Sequence, residues 1–500
     1  MLPRAVIWSC VSSSPTHDAP NFTKAQLADD ALWKPPTWAK LIAYMMQPAV
    51  LTLEAGFAAN NFSTILGGGP PALITSGLLE SLGPADVFVW VGVGNMEWRV
   101  NRHATGFFVQ TTLQQLTARG VLTVFYSTES FMHMSCVKKR SLPVREIWEY
   151  TRTNTLCCPD DPAAARVRYV PPGYHQRLHL AGSLVTGGHS RASTPPKARV
   201  APPRLVFFGS AVSWYWMRYS CLRHVATGLI RSWAQTDPQR APQLNPQCAS
   251  TACGRCANAL CPLYTAHDAT DARSWDTLVG GNRYFLNVHK ICDWATNDVD
   301  PFASSNASCE SFRLASLLSA GAEVFSEHCH PADEAEYRGL VRFLPIANIS
   351  DEVMAAWRAA NRSSTSTSRI ADGGADQAST DQGPSSAETR AREFSTRFAP
   401  AAIFDRAGIT KLLAAHRLGT EVRVTSGGRR GREAATELHQ RFPDVPSFCC
   451  MTESECNVHV MLTHIRVRGN LTALHEWQAE NIARRRNQSR AAPRAKGGIG

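Results

Sequence analysis

Residues 310–327, ESFRLASLLSAGAEVFSE, place a carboxylate and a guanidinium at the start of a short predicted helix. Glu310, Arg313, Leu314 and Leu317 fall at i, i+3, i+4 and i+7, so they share one side of that helix. The two leucines can pack on a sheet, which leaves Glu310 and Arg313 together at the N-terminal turn. The free N–H groups and positive dipole end of such a turn attract anions such as a diphosphate. In the alternative interpretation the two residues are structural: Glu310 complements the dipole and Arg313 pairs with it.

A second group of chemically capable residues is the cysteine cluster in CASTACGRCANALC. Its spacing is C-x4-C-x2-C-x4-C, formed by Cys248, Cys253, Cys256 and Cys261. Four thiolates in one short loop could bind zinc or an iron–sulfur cluster. Two disulfides, or four free thiols, are the alternatives, and the spacing does not choose among them.

The segments that must position these residues alternate between strand and helix patterns. In the first part of the chain, the apolar runs at 85–94 and 121–129 predict buried strands, and 103–120 has helical spacing between them. The pattern restarts at 204–210 and continues with an aromatic-rich helix. Further short runs follow at 283–290, 322–327 and 341–346, with the helix near 309–319 between them. Strands that alternate with helices predict right-handed βαβ units and two mostly parallel sheets.

Composition divides the chain into six segments. The predicted boundaries are an N-terminal α/β domain at 1–175, a linker at 176–203, a second α/β domain at 204–360, a disordered linker at 361–393, a small module at 394–480, and a basic tail at 481–500. The Pro-Pro-Gly of 171–173 cannot continue a central strand, so it marks the end of the first unit. Residues 361–390 contain almost no large apolar side chains, which is typical of disorder.

Several of these motifs together resemble a known family. RLVFFGS, YFLNVHK, ESFRLASLLSAGAEVFSE and YRGLVRFLPI occur in the order and rough spacing of the C-terminal half of GT-B glycosyltransferases, most like the group-one, nucleotide-sugar-dependent type. REIWEYTRTNT followed by VRYVPPGYH resembles the last strand and hinge of the N-terminal half. The resemblance covers roughly 85–350. It implies an α/β, GT-B-like fold of two facing Rossmann-like domains, here with a disordered linker and a small C-terminal module.

The resemblance also implies a set of site residues. Glu310 matches the first carboxylate of the family's paired-glutamate motif, and Glu310, His289 and His103 are the candidate catalytic residues. The candidate donor-binding residues are Gly209, Ser210, Arg218, Asn287, Lys290, Arg313, Ser326 and Glu327. The sequence departs from the family at the second glutamate of the motif, because position 318 is Leu. Glu327 is the candidate substitute and could also contact a nucleotide ribose.

The implied reaction moves a glycosyl group from a nucleotide sugar to an acceptor hydroxyl. Negative charge grows on the leaving diphosphate, and oriented cations and N–H donors stabilise it. No cofactor or metal is required if Arg and Lys supply this charge, so the nucleotide-sugar donor is a co-substrate. The acceptor could be a glycan, a protein or a small molecule. A base for the acceptor should come from the first domain, where His103 and Glu129 are candidates.

The distribution of charge along the chain suggests one alternative function, the binding of nucleic acid. The net charge is +11, and residues 397–500 hold 17 Lys and Arg against 9 Asp and Glu. An Arg-rich end can bind nucleic acid, although no aromatic residues interleave with the arginines of 481–496, so a nucleic-acid partner is not favoured.

A catalytically degenerate protein that binds glycan or nucleotide is the other alternative. No membrane span is expected. Asn-x-Ser/Thr sequons and cysteines point to the Golgi lumen if the N-terminus is incomplete, whereas the missing signal peptide points to the cytoplasm.

Overall fold

The protein is described by a computed structural model, and its α/β architecture with two parallel sheets confirms the predicted fold class. The structure describes residues 2–9, 37–68, 76–92, 104–128, 139–155, 166–176, 204–209, 216–236, 263–266, 275, 278–279, 282–289, 308–370 and 386–419. Among these residues, no helix combines the length and the apolar character that crossing a bilayer would need.

The first lobe contains a six-stranded sheet. Its strands are β1 (Arg4–Ser9), β2 (Ser63–Gly68), β3 (Val87–Gly92), β4 (Leu122–Ser127), β5 (Glu146–Glu149) and β6 (Val167–Tyr169). Its helices are α1 (Thr37–Ala59), α2 (Ser76–Ser81), α3 (Ala104–Ala118) and α4 (Arg152–Thr155). The strand order is β2-β1-β3-β4-β5-β6 and every pair is parallel. Strands β3 and β4 are buried throughout, as their continuous apolar runs predict for a parallel sheet covered on both faces.

The second lobe contains a five-stranded parallel sheet. Its strands are β7 (Leu205–Phe208), β8 (Leu263–Ala266), β9 (Tyr284–Asn287), β10 (Glu323–Ser326) and β11 (Val341–Phe343). Its helices are α5 (Trp216–Thr236), α6 (Ser311–Ser319), α7 (Pro331–Glu336) and α8 (Ile346–Ile370). The strand order is β11-β10-β9-β7-β8: β8 lies on one side of β7, and β9, β10 and β11 are added on the other side. The order in which the chain adds strands therefore reverses between β7 and β9. Open α/β sheets bind ligands at the carboxyl ends of the strands that flank such a reversal.

The carboxyl end of β5 in the first lobe contacts α6 and α7 of the second. Tyr150, directly after β5, stacks on Phe312 of α6 with 4.8 Å between ring centres. Arg152 of α4 forms an ion pair with Glu336 of α7, with 2.8 Å between Nε and Oε1. The N-terminal turn of α6 therefore lies where the two lobes meet.

Three C-terminal helices contribute side chains to the main core. They are α9 (Ser386–Arg397), α10 (Pro400–Arg406) and α11 (Ile409–Arg417). The helix-like stretch at 401–418 is divided in two, because Gly408 adopts φ +71° and separates α10 from α11. Phe404 of α10 packs against Phe57 of α1 and Trp148 of β5, at ring-centre distances of 5.4 and 5.8 Å. The apolar side of α10 is thus buried on the first lobe, a surface that the helical pattern alone cannot identify.

The predicted disordered linker at 361–393 overlaps helices at both ends. Helix α8 continues to Ile370, because its packed first half provides the nucleus and each added residue then extends the helix at little cost. Helix α9 already begins at Ser386, since Phe394 is buried and Arg390 donates to the carbonyl of Gly321 at 3.0 Å. Residues 371–385, most of the linker at 176–203 and the tail at 481–500 lie outside the described residues, and the domain boundaries stay predictions.

Candidate functional site

The candidate site lies at the carboxyl ends of β7 and β9, where the strand order of the second sheet reverses. The structure brings together those predicted site residues that it describes: Gly209, Arg218, Asn287, His289, Glu310, Arg313, Ser326 and Glu327. All of them except Glu310 are buried. These residues come from five different elements, so the cluster is a product of the fold rather than of one motif.

Helix α6 presents Glu310 at its N-terminus. Every residue of α6 is buried, including the predicted Leu314 and Leu317, so the helix is held by packing on both sides. Glu310 occupies the N-cap position without a capping hydrogen bond from its side chain. Its side chain is 25% exposed, and its Oε1 lies 3.5 Å from Nη2 of Arg218. The carboxylate therefore faces Arg218 of α5 at the open end of the cluster.

Arg313 does not stay beside Glu310 at an open turn, as the helical spacing suggested. Its Nη1 donates to Oδ1 of Asn287 at 2.6 Å, and its guanidinium lies 4.9 Å from the ring centre of Phe207. Burial lowers the pKa of Arg313 to about 10, and the nearby Glu310 carboxylate opposes this shift. Arg313 therefore stays protonated at neutral pH and brings a buried positive charge to the ends of β7 and β9.

Arg218 brings a second buried cation to the same place. Its Nε donates to the carbonyl of His289 at 3.2 Å, and its guanidinium carbon lies 5.4 Å from the ring centre of Phe207. The guanidinium groups of Arg218 and Arg313 thus both lie near the ring of Phe207. Placing two guanidinium groups this close is electrostatically costly unless anions compensate them. Glu310 lies beside Arg218, and the charges of Glu310 and Glu327 both favour the protonated form of Arg313.

The turn after β7 requires glycine at position 209. Gly209 has φ +153°, and a Cβ atom built on it would lie 3.0 Å from Nη2 of Arg313. Glycine is the residue that adopts such a conformation readily and lets the backbone approach the guanidinium closely. The turn therefore brings the backbone at Gly209 close to the Arg313 guanidinium.

His289 and Glu327 form a buried pair beside the cations. Nδ1 of His289 lies 2.8 Å from Oε1 of Glu327, which also accepts the backbone N–H of His289. Asn287 donates from Nδ2 to Oγ of Ser326 at 2.9 Å, so the ends of β9 and β10 are joined by side chains as well as by the backbone. The predicted contact of Glu327 with a ribose stays a prediction, because one of its oxygens is occupied by His289.

A disulfide that the sequence did not predict connects the two segments that carry the carboxylates. Cys309, next to Glu310, is bonded to Cys329, two residues after Glu327. The signal in the sequence was only the proximity of one cysteine to each predicted site segment. The bond fixes the start of α6 to the loop after β10, and so fixes Glu310 relative to Glu327.

Asp333 of α7 was also missed, and it connects this region to the first lobe. Its Oδ1 accepts the backbone N–H groups of Arg152 and Thr153 at 2.7 and 3.2 Å. Its Oδ2 accepts the Thr153 hydroxyl at 2.6 Å and the backbone N–H of Cys309 at 3.1 Å. One buried carboxylate therefore holds α4 of the first lobe and the residue that precedes Glu310.

This carboxylate predicts a specific pH dependence of stability. Burial raises the pKa of Asp333 from 3.8 to about 6, although its hydrogen bonds oppose the shift. As the pH falls, the folded protein binds a proton at Asp333 before the unfolded chain does. The group therefore adds stability as the pH falls from about 6 to about 4, by up to about 3 kcal/mol, and this contribution is lost as the pH rises again.

The measurement compares urea unfolding of the wild type and of Asp333→Asn at pH 7, 5 and 4. Because the other titrating groups are common to both proteins, their effects cancel in the difference. We expect the wild type to gain stability relative to the variant as the pH falls. A difference in unfolding free energy that does not change with pH would contradict the assignment.

The remaining predicted residues lie outside the described residues. They are His103, Glu129, Ser210, Lys290 and the cysteines Cys248, Cys253, Cys256 and Cys261. Their roles stay predictions. In the part of the chain that the structure describes, no three His, Cys, Asp or Glu side chains are grouped to hold a metal ion.

Comparison with known proteins gives similarity at the level of structure alone. Neither a protein-family model nor a curated protein sequence matches the chain. An α,α-trehalose-phosphate synthase (UDP-forming) from Burkholderia xenovorans, solved with glucose-6-phosphate, matches 82% of this chain and 100% of its own at 11% identity and a TM-score of 0.39. A glycosyltransferase from Rickettsia africae matches 82% of this chain and 99% of its own at 6% identity and a TM-score of 0.37. OtsA in its apo form matches 82% and 98% at 12% identity and a TM-score of 0.36. The chain is thus similar, over 82% of its length, to solved glycosyltransferase structures.

Proposed function

We propose that this protein transfers a glycosyl group from a nucleotide-sugar donor to an acceptor hydroxyl. The observation that carries the proposal is the pair of buried cations, Arg218 and Arg313, at the strand reversal of the second sheet, with the Glu310 carboxylate at the N-terminus of α6. Cations, a helix N-terminus and a glycine turn at one place suit a diphosphate.

Each residue has a defined part in this proposal. Arg218 and Arg313 stabilise the negative charge that develops on the leaving diphosphate, with the backbone at Gly209 close to the phosphates. Glu310 accepts from hydroxyls of the sugar or holds the region next to the leaving group. Ser210 and Lys290 extend the phosphate contacts, and His289 is a candidate for proton transfer. The base for the acceptor comes from the first lobe, where His103 is a candidate.

In this proposal, ligand binding changes one contact of the site, the one between Arg218 and Glu310. Arg218 now faces Glu310 at 3.5 Å, a distance longer than a strong charge-assisted hydrogen bond. A diphosphate that binds Arg218 would compete with this contact. In this proposal the Glu310 carboxylate, which is the more exposed member of the pair, contacts the sugar.

A second candidate function is the binding of a nucleotide or glycan without turnover. The observation that favours it is Leu318, which stands where the resembled family has a second glutamate and is fully buried in the core. The candidate substitute, Glu327, has its Oε1 engaged by His289, whereas its buried Oε2 has no hydrogen-bond partner among the described residues. Helix α6 therefore offers one carboxylate to a ligand rather than two.

The experiment that tests the proposal is a donor screen on the purified chain. Thermal shift is measured with uridine, guanosine, adenosine, cytidine and thymidine diphosphate sugars, and each stabilising donor is then assayed for transfer and slow hydrolysis by mass spectrometry. Stabilisation with product supports the transferase. Stabilisation without product supports the binding protein, and no stabilisation by any donor overturns both.

A further inference from the structure

The imidazole of His289 has one nitrogen in use and one without a partner. Nδ1 lies 2.8 Å from Oε1 of Glu327. Nε2 is buried and has no hydrogen-bond partner among the described residues, in a residue that is 3% exposed. Buried polar atoms in proteins nearly always have a partner, so an unpaired one beside a candidate ligand site indicates a ligand atom.

The chemistry of the pair determines what that ligand atom must be. A carboxylate oxygen accepts hydrogen bonds, so the tautomer of a neutral imidazole that fits Oε1 of Glu327 has its hydrogen on Nδ1. The same Oε1 of Glu327 accepts the backbone N–H of His289, so ring and backbone are oriented by one oxygen. Nε2 is then left with a lone pair and needs a hydrogen-bond donor. A phosphate oxygen is not a donor, whereas a hydroxyl is.

The surroundings divide the site into two chemically different parts. Arg218 donates to the carbonyl of His289, and Arg313 donates to Asn287, two residues earlier in the same strand end. These cations offer donors to an anion. His289 offers an acceptor next to them, which is the arrangement that a ligand with both phosphate and hydroxyl groups requires.

Resting on the proposed nucleotide-sugar function, we propose that Nε2 of His289 accepts a hydrogen bond from a hydroxyl group of the donor, and that Glu327 is the positioning residue which holds it as an acceptor. The hydroxyl belongs either to the ribose or to the transferred sugar. Both have the same chemistry, and the experiment distinguishes them.

The test uses two substitutions of His289 that differ in reach. In His289→Asn the carboxamide ends near the position of Nδ1, so contact with Glu327 is kept and the atom at Nε2 is removed. In His289→Gln the longer carboxamide can place an oxygen near the position of Nε2. Dissociation constants are measured by calorimetry for inorganic pyrophosphate, UDP, GDP, UDP-glucose and GDP-mannose.

We expect His289→Asn to weaken binding of the hydroxyl-bearing probes about 10-fold, with part of the loss recovered in His289→Gln. Pyrophosphate, which contacts only the cations, should bind all three proteins equally. If the nucleoside diphosphates weaken as much as the nucleotide sugars, the hydroxyl is on the ribose. If the nucleotide sugars alone weaken, it is on the transferred sugar.

A measurement on the wild type keeps the proposal testable if the variants do not fold. Nitrogen NMR of ¹⁵N-histidine-labelled protein should show one ring with the hydrogen on Nδ1, whose Nε2 signal shifts with a nucleotide sugar but not with pyrophosphate. Glu327→Leu should abolish this tautomer preference, whereas Glu327→Gln, which keeps an acceptor oxygen, should retain it. A merely structural role of Glu327 would leave the tautomer unchanged.

The experiment distinguishes failure of this inference from failure of the proposed function. If the wild type binds nucleotide sugars but His289→Asn binds every probe equally well, or no ring shows the expected tautomer and shift, this inference is overturned and the proposed function stands. If the wild type binds neither pyrophosphate nor any nucleotide probe, the proposed function fails, and this inference fails with it.

Discussion

Replacing Glu310 by Gln is expected to lower glycosyl turnover by about 10²–10⁴-fold, because the neutral amide removes the negative charge that the proposal places next to the reacting sugar. Folding should be nearly unaffected. The Glu310 side chain is 25% exposed and its contact with Arg218 is 3.5 Å long. Partly exposed ion pairs of this kind contribute about 1 kcal/mol or less. Turnover is measured with the donor found in the screen, and stability by urea unfolding.

Glu352→Gln is the matched control. Glu352 is a glutamate of the same lobe with a similarly loose partner, since its Oε2 lies 3.7 Å from Nη1 of Arg342, and it is 45% exposed. Its substitution should change neither turnover nor stability noticeably. If Glu310→Gln retains full turnover, Glu310 is not a catalytic residue and the site must lie elsewhere.

Phe404→Ala is expected to reduce the free energy of unfolding by about 3–5 kcal/mol, because it removes a large ring from a closed core. Phe404 is fully buried, and its ring occupies the space next to Gly56, where even a Cβ atom would lie 2.3 Å from it. It also contacts Phe57 and Trp148 of the first lobe. The loss should appear in one cooperative transition, since α10 and the first lobe share this core.

Leu418→Ala provides the comparison within the same C-terminal segment. Leu418 is 77% exposed, so its truncation should change the unfolding free energy by about 0.5 kcal/mol or less. If Phe404→Ala is equally mild, or if a separate transition for the C-terminal helices appears, then these helices form an independent module after all.

The parallel strands were predictable because strands buried on both faces have continuous apolar runs in the sequence. The runs at 85–94 and 121–129 became β3 and β4, and 322–327 became β10. Helix α6 was predictable because its leucines repeat at helical spacing and Gly321, with φ +74°, follows its end.

Elements without such patterns were missed. Helix α1 contains Pro48, and β2 ends in two glycines, so neither segment has the composition of a regular element. Strand β8 has four residues next to the cysteine cluster, too few for periodicity to show. These strands depend on tertiary contacts: β2 pairs with β1, and β8 pairs with β7, which was predicted at 204–210.

The side-chain contacts of the candidate site were also only partly predictable from the sequence. Helical spacing placed Glu310 and Arg313 together, and the resemblance to the family added Arg218 as a candidate phosphate-binding cation. The sequence did not identify which cation faces Glu310. Spacing along α6 favoured Arg313, but the bond from Arg313 to Asn287 directs it to the sheet and leaves Arg218 for Glu310. Which arginine faces Glu310 depends on distances between helices and strands, and the spacing of residues within one helix does not give those distances.

The bond between Cys309 and Cys329 makes the choice of expression host a chemical variable. In a bacterial cytosol, thioredoxin and glutathione keep most thiols reduced, whereas the periplasm oxidises them. The same gene can therefore yield two preparations, identical in sequence, that differ by a crosslink beside the residue whose charge is to be tested. Thiol titration of each batch should accompany any assay, so that an inactive sample is not mistaken for an inactive protein.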